Sequence, residues 1–307
     1  MGHKCILLFR LALACLFLFS IQGASAIPQG ETTSEERGVT VETDESTEPE
    51  AELGYRRRHA LVVGIDEYQD PAYPDLGYAV ADARAVAKIL VEEFGFEEGD
   101  IKLLLNEDAK QYTLNRALEE WSCEPNRIGS DDLFVFFFAG HGSIMDNLFY
   151  FITSEVTGLY QKDKLVKALY VNELQEKFKK LSALKQVVFI DACHSGSSVD
   201  VLAMRGSTEE KALAQLSRSS GIHVLASSES QQQSAEIQSL GHGVFTYVLL
   251  EALGGKADGA PSDSKVTLYE IKSYIDDQVP EISYRLIRHK QFPSTFSIGH
   301  DFPLVIY

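Results

Sequence analysis

Residues 132–142 read DLFVFFFAGHG and residues 186–196 read QVVFIDACHSG, and these two stretches decide the fold. In each, an apolar run of strand length (Asp132–Phe138, Gln186–Ile190) ends in a short polar segment that contains glycine. A run that is apolar at every position, not at alternate ones, suits a strand covered on both faces, as in a parallel sheet. Outward from these, His59–Ile65 (HALVVGI), Ile101–Leu105 and His223–Ala226 have the same character, and Pro303–Tyr307 offers a last strand. Helical spacing links Leu76, Val80, Ala83, Ala87, Leu90 and Phe94, and again Leu114, Leu118 and Trp121. Asn172 with Gln175 reads as a capping box that opens a helix bearing Leu174, Phe178 and Leu181. A further helix is expected over about 244–253. Thr267 and Glu270 cap a last one, with Ile271, Tyr274 and Ile275 facing inward. Apolar strands separated by helices predict an α/β fold: a three-layer sandwich around a mainly parallel sheet of about six strands.

The chain has 307 residues, 45% apolar and 24% charged, which is enough for a sizeable core. A formal net charge of -17 disfavours nucleic acid and anionic membranes and favours basic ligands. Residues 1–26 read as an export signal: Lys4 and Arg10, an apolar run from Leu11 to Ile21, and Ala24-Ser25-Ala26 as a cleavage site. The run is shorter than the ~20 residues of a comfortable membrane span, so a secreted or periplasmic protein is expected, with no stable membrane insertion after signal removal. An uncleaved anchor is the alternative. Residues 27–54 hold nine acids against Arg37 and almost no large apolar side chains, so they read as an acidic disordered leader. The folded domain is expected over 55–307: 55–196, a Gly-, Ser- and charge-rich loop at 197–220, and 221–307. With the signal removed only Cys123 and Cys193 remain, which is no disulfide framework. Cys123, beside Trp121 on an expected helix, reads as a core residue.

Both polar segments lie at the carboxyl ends of expected strands, the edge where open parallel sheets bind ligands. His141, between two glycines, is poised there as a general acid or base. Cys193, followed by a small glycine-containing turn, has backbone N–H groups near it for an oxyanion. A neighbouring imidazolium lowers a thiol from its ordinary pKa of ~8.5 towards thiolate at neutral pH. The two residues stand about fifty positions apart, the separation expected of a cysteine nucleophile with its histidine upstream. His194 is nearer in sequence, but adjacent residues at a strand end diverge, so it reads as a pocket-rim residue.

With AGHG and DACHSG in this order, the chain resembles the caspase-fold cysteine peptidases, closest to metacaspases and their bacterial relatives. HALVVGIDEY and LGYAVADARAV are similar to the family's opening strand and first helix. GHGVFTYVLLEAL, then VTLYEIKSYI and QFP, is similar to its small-subunit portion. The resemblance implies a His141/Cys193 dyad in an endopeptidase, with the N–H groups of Gly142 and Cys193 as oxyanion hole. It also implies an S1 pocket in which Asp82 and Asp191 hold Arg or Lys, the bidentate match of guanidinium and carboxylate. Polypeptides with basic residues are therefore the expected partners, and the protein is expected to be a monomer or weak dimer. Ala139 stands where metacaspases often carry Ser.

Many members of that family bind calcium between the two motifs. Here Asp146, Asp163, Asn172 and Glu173 are scattered and define no metal site, so no cofactor is expected. Arg205, Lys211 and Arg218 offer places for self-processing in the 197–220 loop. Glu236 is a weaker pocket candidate, and His242, before a helix, reads as a turn and packing residue. Two other classes stay open: a catalytically silent caspase-like interaction module, and a transpeptidase or other cysteine hydrolase with the same dyad.

Overall fold

The computed structural model describes residues 53–123, 127–145, 148–158, 163, 166–194, 205–227, 240–259 and 261–307. The side chains of Cys123, Met145, Cys193, His194, residues 205–208, Ser219 and Ser220 lie outside the description. So do the expected signal and nearly all of the leader, together with Asp146 and Glu236.

The strands are β1 (Arg58–Gly64), β2 (Ile101–Leu105), β3 (Leu133–Met145), β4 (Leu148–Phe151), β5 (Leu169–Tyr170), β6 (Lys185–His194), β7 (His223–Ala226), β8 (Lys265–Thr267), β9 (Ser294–Phe296) and β10 (Pro303–Ile306). The helices are α1 (Ala79–Glu92), α2 (Gln111–Cys123), α3 (Val171–Phe178), α4 (Arg205–Ser220), α5 (Val244–Glu251) and α6 (Leu268–Ile287). The main sheet runs β2-β1-β3-β6-β7-β9; only β9 on this path pairs antiparallel. From β1 the chain goes to β2 on one side and then to β3 on the other, so the strand order reverses between β1 and β3. Such a reversal opens a crevice at the carboxyl edge of the sheet.

The apolar character of β3 on both faces now has a cause. Leu133, Val135, Phe137 and Ala139 face a core layer shared with α1, α5 and α6. Phe134, Phe136 and Phe138 face the opposite layer, with Leu114, Leu118 and Trp121 of α2, Leu174 and Phe178 of α3, and Leu213 and Leu216 of α4. The expected three-layer α/β sandwich is therefore what the chain adopts.

Several elements differ from expectation. The β3 strand does not end at Phe138 but continues through His141 and turns into the hairpin strand β4. Leu76 lies outside α1, which starts three residues later, and the Asp66 carboxylate accepts from the Val80 N–H in its first turn. Tyr170, not Asn172, precedes α3, and no side chain caps that helix. Residues 205–220, expected within a loop, form α4; Leu213 and Leu216, three apart, bury one stripe of it. The Pro303–Tyr307 strand exists as β10 but pairs with β8 in a separate ribbon. Among the described residues no helix is long and apolar enough to cross a membrane.

The expected cap on α6 is present: Thr267 accepts from the Glu270 N–H while Glu270 accepts from the Thr267 N–H. Thr267→Ala leaves a first-turn N–H without its acceptor and should cost about 1 kcal/mol, read as a lower urea midpoint at unchanged m-value.

Candidate active site

The parallel ladder between β3 and β6 carries both motif residues. Ala139 pairs with Asp191, Gly140 with Ala192, His141 with Cys193 and Gly142 with His194. Register partners on neighbouring strands stand about 4.8 Å apart, so the backbone alone brings Cys193 beside His141. The Cys193 thiol itself lies outside the described side chains.

The His141 side chain is held by residues 66–78, the connection that leaves β1 at the reversal of strand order. Its Nε2 lies 2.7 Å from the carbonyl oxygen of Pro74. A carbonyl only accepts, so Nε2 carries a proton and, in the neutral ring, the lone pair sits on Nδ1. The His141 N–H donates to the Tyr68 hydroxyl at 2.8 Å. The rings of Tyr68 and Tyr73 lie 4.7 and 6.0 Å from the imidazole, leaving His141 only 4% exposed.

The connection is itself braced. Asp75 accepts from the Tyr68 N–H, Asn106 from the Asp66 N–H, and the Asp66 carbonyl from the Leu76 N–H. Gly140 lets the tyrosine approach, because a Cβ there would stand 2.7 Å from its hydroxyl oxygen.

Asp82 and Asp191 do meet. Asp191 follows Val187 and Phe189 along the face of β6 that α1 and α5 cover. Asp82 reaches the same place from the first turn of α1. They are 3% and 5% exposed. The start of α5 enters between them, and a Cβ on Gly243 would be 2.6 Å from Asp191 Oδ2 and 3.2 Å from Asp82 Oδ2. Asp191 Oδ2 accepts from the Thr246 hydroxyl at 2.7 Å and from its N–H at 3.2 Å. Asp82 Oδ2 accepts from the Gly243 N–H at 3.2 Å, and its Oδ1 lies 2.7 Å from His242 Nδ1. Two carboxylates at a helix N-terminus gain from its dipole, yet burial pushes the Asp82 carboxyl up to about 7. The Asp191 charge adds to that rise, and the His242 and Gly243 hydrogen bonds oppose it.

His242 is thus a partner of Asp82 and not merely a turn residue. Tyr68, Pro74 and Thr246 also take part without having been singled out in the sequence; the one signal for them is their place in IDEYQDPAYPDLG and GVFTYV, beside the motifs. Gly142 lies inside the sheet, in register with His194 on one side and Phe151 on the other. Among the described residues, no group of three or more His, Cys, Asp or Glu side chains is placed to hold a metal.

An α/β sandwich with a histidine and a cysteine in register on neighbouring parallel strands is the arrangement of the caspase-fold class. The chain belongs to the caspase domain family, which it matches over residues 57–301. Solved structures agree on the fold. A protein of Geobacter sulfurreducens is 18% identical, with 80% of this chain and 94% of that one covered at a TM-score of 0.55. Caspase-1 of Spodoptera frugiperda is 14% identical, with 80% and 88% covered at 0.53. A second structure, described as pro-sf-caspase-1, is 13% identical, with 79% and 92% covered at 0.51. No curated protein sequence matches the chain. The family's domain is that of cysteine peptidases, and this is the activity class the fold carries.

The tyrosine brace gives a direct test. Tyr68→Phe removes the acceptor of the buried His141 N–H and should cost about 1–3 kcal/mol. Urea denaturation measures it; a midpoint equal to that of the parent would mean the hydroxyl does not hold the strand.

Proposed function

We propose that the protein is an exported cysteine endopeptidase that uses Cys193 and His141 and cleaves after Arg or Lys. The observation that carries the first half is the pairing of His141 with Cys193 in register, with the histidine tautomer set by Pro74. His141 Nδ1 takes the thiol proton. The thiolate attacks the scissile carbonyl carbon, forming a C–S bond and moving the carbonyl π pair onto oxygen. Backbone N–H groups of Gly142 and Cys193 are assigned to that oxyanion, where preorganised donors count most. The C–N bond then breaks as Nδ1 returns the proton to the leaving amine. Water, deprotonated by the same nitrogen, resolves the thioester to the acid and the free thiol.

Basic specificity is supported by Asp82 and Asp191, two buried carboxylates on the same edge of the sheet, one of them two residues from Cys193. A guanidinium that reaches these carboxylates would replace weaker donors with charge-assisted hydrogen bonds.

Matched fluorogenic peptides with Arg, Lys or Asp at P1 test the proposal. Arg or Lys peptides should be cleaved, and Cys193→Ala should abolish the cleavage. Cleavage after Asp would keep the dyad and remove Asp82 and Asp191 from the pocket. No cleavage of any peptide would favour the silent interaction module.

The pH dependence has a definite sign. Asp82 is neutral below about 7 and a carboxylate above it, so affinity for a basic ligand should rise as pH passes upward through 7. In the Cys193→Ala protein, where catalytic titrations do not intrude, benzamidine binding by calorimetry measures this rise. Asp82→Asn should flatten it.

Self-processing, where it occurs, is best served by Arg205, the first residue of α4. Lys211 and Arg218 lie within the helix, and peptidases cut segments that are locally unfolded. The expected product boundary in the intact mass spectrum is Arg205–Gly206, absent from Cys193→Ala.

A further inference from the structure

The two carboxylates of the pocket are held in different ways. Asp191 is bound by the N–H and hydroxyl of Thr246, a fully buried residue in the first turn of α5. Those donors are part of the helix and stay with it. Asp82 is bound by the Gly243 N–H and by the imidazole of His242, which is not in the helix and whose side chain is 25% exposed. Gly241, at φ +67, makes the turn just before it. Of the donors on the two acids named here, the imidazole is therefore the one that solvent reaches and that rotation of its own side chain removes.

We propose that His242 is the resident occupant of the acidic pocket: it holds Asp82 in the ligand-free protein and is displaced by the basic side chain of a substrate. This rests on the basic-P1 reading and makes His242 a specificity-determining residue for it. The chemistry matches on both sides of the exchange. Imidazole offers Asp82 one N–H donor, whereas a guanidinium or amidinium offers a pair of donors and a fixed positive charge that also faces Asp191. Leaving Asp82 ionised, buried and near Asp191 with the Gly243 N–H but no imidazole is costly. The occupant removes that cost while the pocket is empty and lowers affinity by the worth of its own bond when a ligand enters. A neutral or acidic side chain supplies no charge in exchange and leaves His242 in place. Burial and the Asp191 charge, which already raise Asp82 to about 7, show how strained the pocket is towards holding two negative charges.

Benzamidine, an amidinium of the size of an arginine head, is the probe, and calorimetry of Cys193→Ala at pH 8 the measurement. Adding His242→Ala should tighten benzamidine binding about tenfold, the equivalent of one hydrogen bond to a charged group. His242→Gln keeps a donor for Asp82 and should restore the affinity of the parent. Saturating benzamidine should also shift the His242 imidazole resonances as the ring leaves Asp82. Binding that is lost in Asp82→Asn yet equal or weaker in His242→Ala overturns the role of His242 and leaves the acidic pocket standing. Benzamidine bound by none of these proteins overturns both.

Discussion

The parallel pairing of β3 with β6 runs without a shift from Leu133 opposite Lys185 to Gly142 opposite His194, and the candidate site depends on that register. One residue of slippage would send every side chain of one strand to the other face of the sheet. It would put Asp191 among the aromatic side chains of α2 and α3 and take Cys193 from its place beside His141. The register is protected by what lies upstream. Phe134, Phe136 and Phe138 fill one layer and Leu133, Val135 and Phe137 the other, all nearly inaccessible to solvent. The core thus sets the geometry of polar residues that contribute nothing to it.

Around that ladder the polar groups fall into two sets with different physics. His141 is oriented by neutral groups: the Pro74 carbonyl fixes the tautomer and ring direction, and the Tyr68 hydroxyl accepts from the backbone N–H, neither adding charge. Asp82 and Asp191 are held by donors at the N-terminus of α5, and the Asp191 charge opposes ionisation of Asp82. The first set suits a proton carrier that must change its own charge in each cycle. The second suits a fixed binding site for a cation. Asp191 and Cys193 stand two positions apart on one strand, so the two sets share a scaffold.

The central strands were legible in the sequence because burial on both faces leaves an unmistakable apolar run, as in Asp132–Phe138. His141 and Cys193 were legible because each follows such a run, His141 between two glycines and Cys193 three residues before Gly196. The residues that orient them were not. Pro74 acts through a carbonyl oxygen, a group every residue has, and its partner lies 67 positions away. His242 finds Asp82 across 160 positions, a proximity that only the sheet order creates. The α4 helix was hidden by its neighbours: the Gly- and Ser-rich residues on either side of EEKALAQL suggested one long loop. The capping box at Asn172 failed for a related reason, since packing of Val171, Leu174 and Phe178 sets the start of α3 and no side-chain cap is needed.

The order of the strands also determines what would follow a cut in the backbone after β6. β6 would belong to one fragment and β7 to the other, yet they are neighbours in the sheet, paired from Val187 opposite His223 to Ile190 opposite Ala226. On the covered face, α1 of the first fragment packs with α5 of the second, and each of the two buried acids keeps a partner from across the break: Asp82 with His242, Asp191 with Thr246. The fragments would separate in denaturant and migrate together without it. The nick would leave the molecule in one piece, with the partners of both acids drawn from across the break.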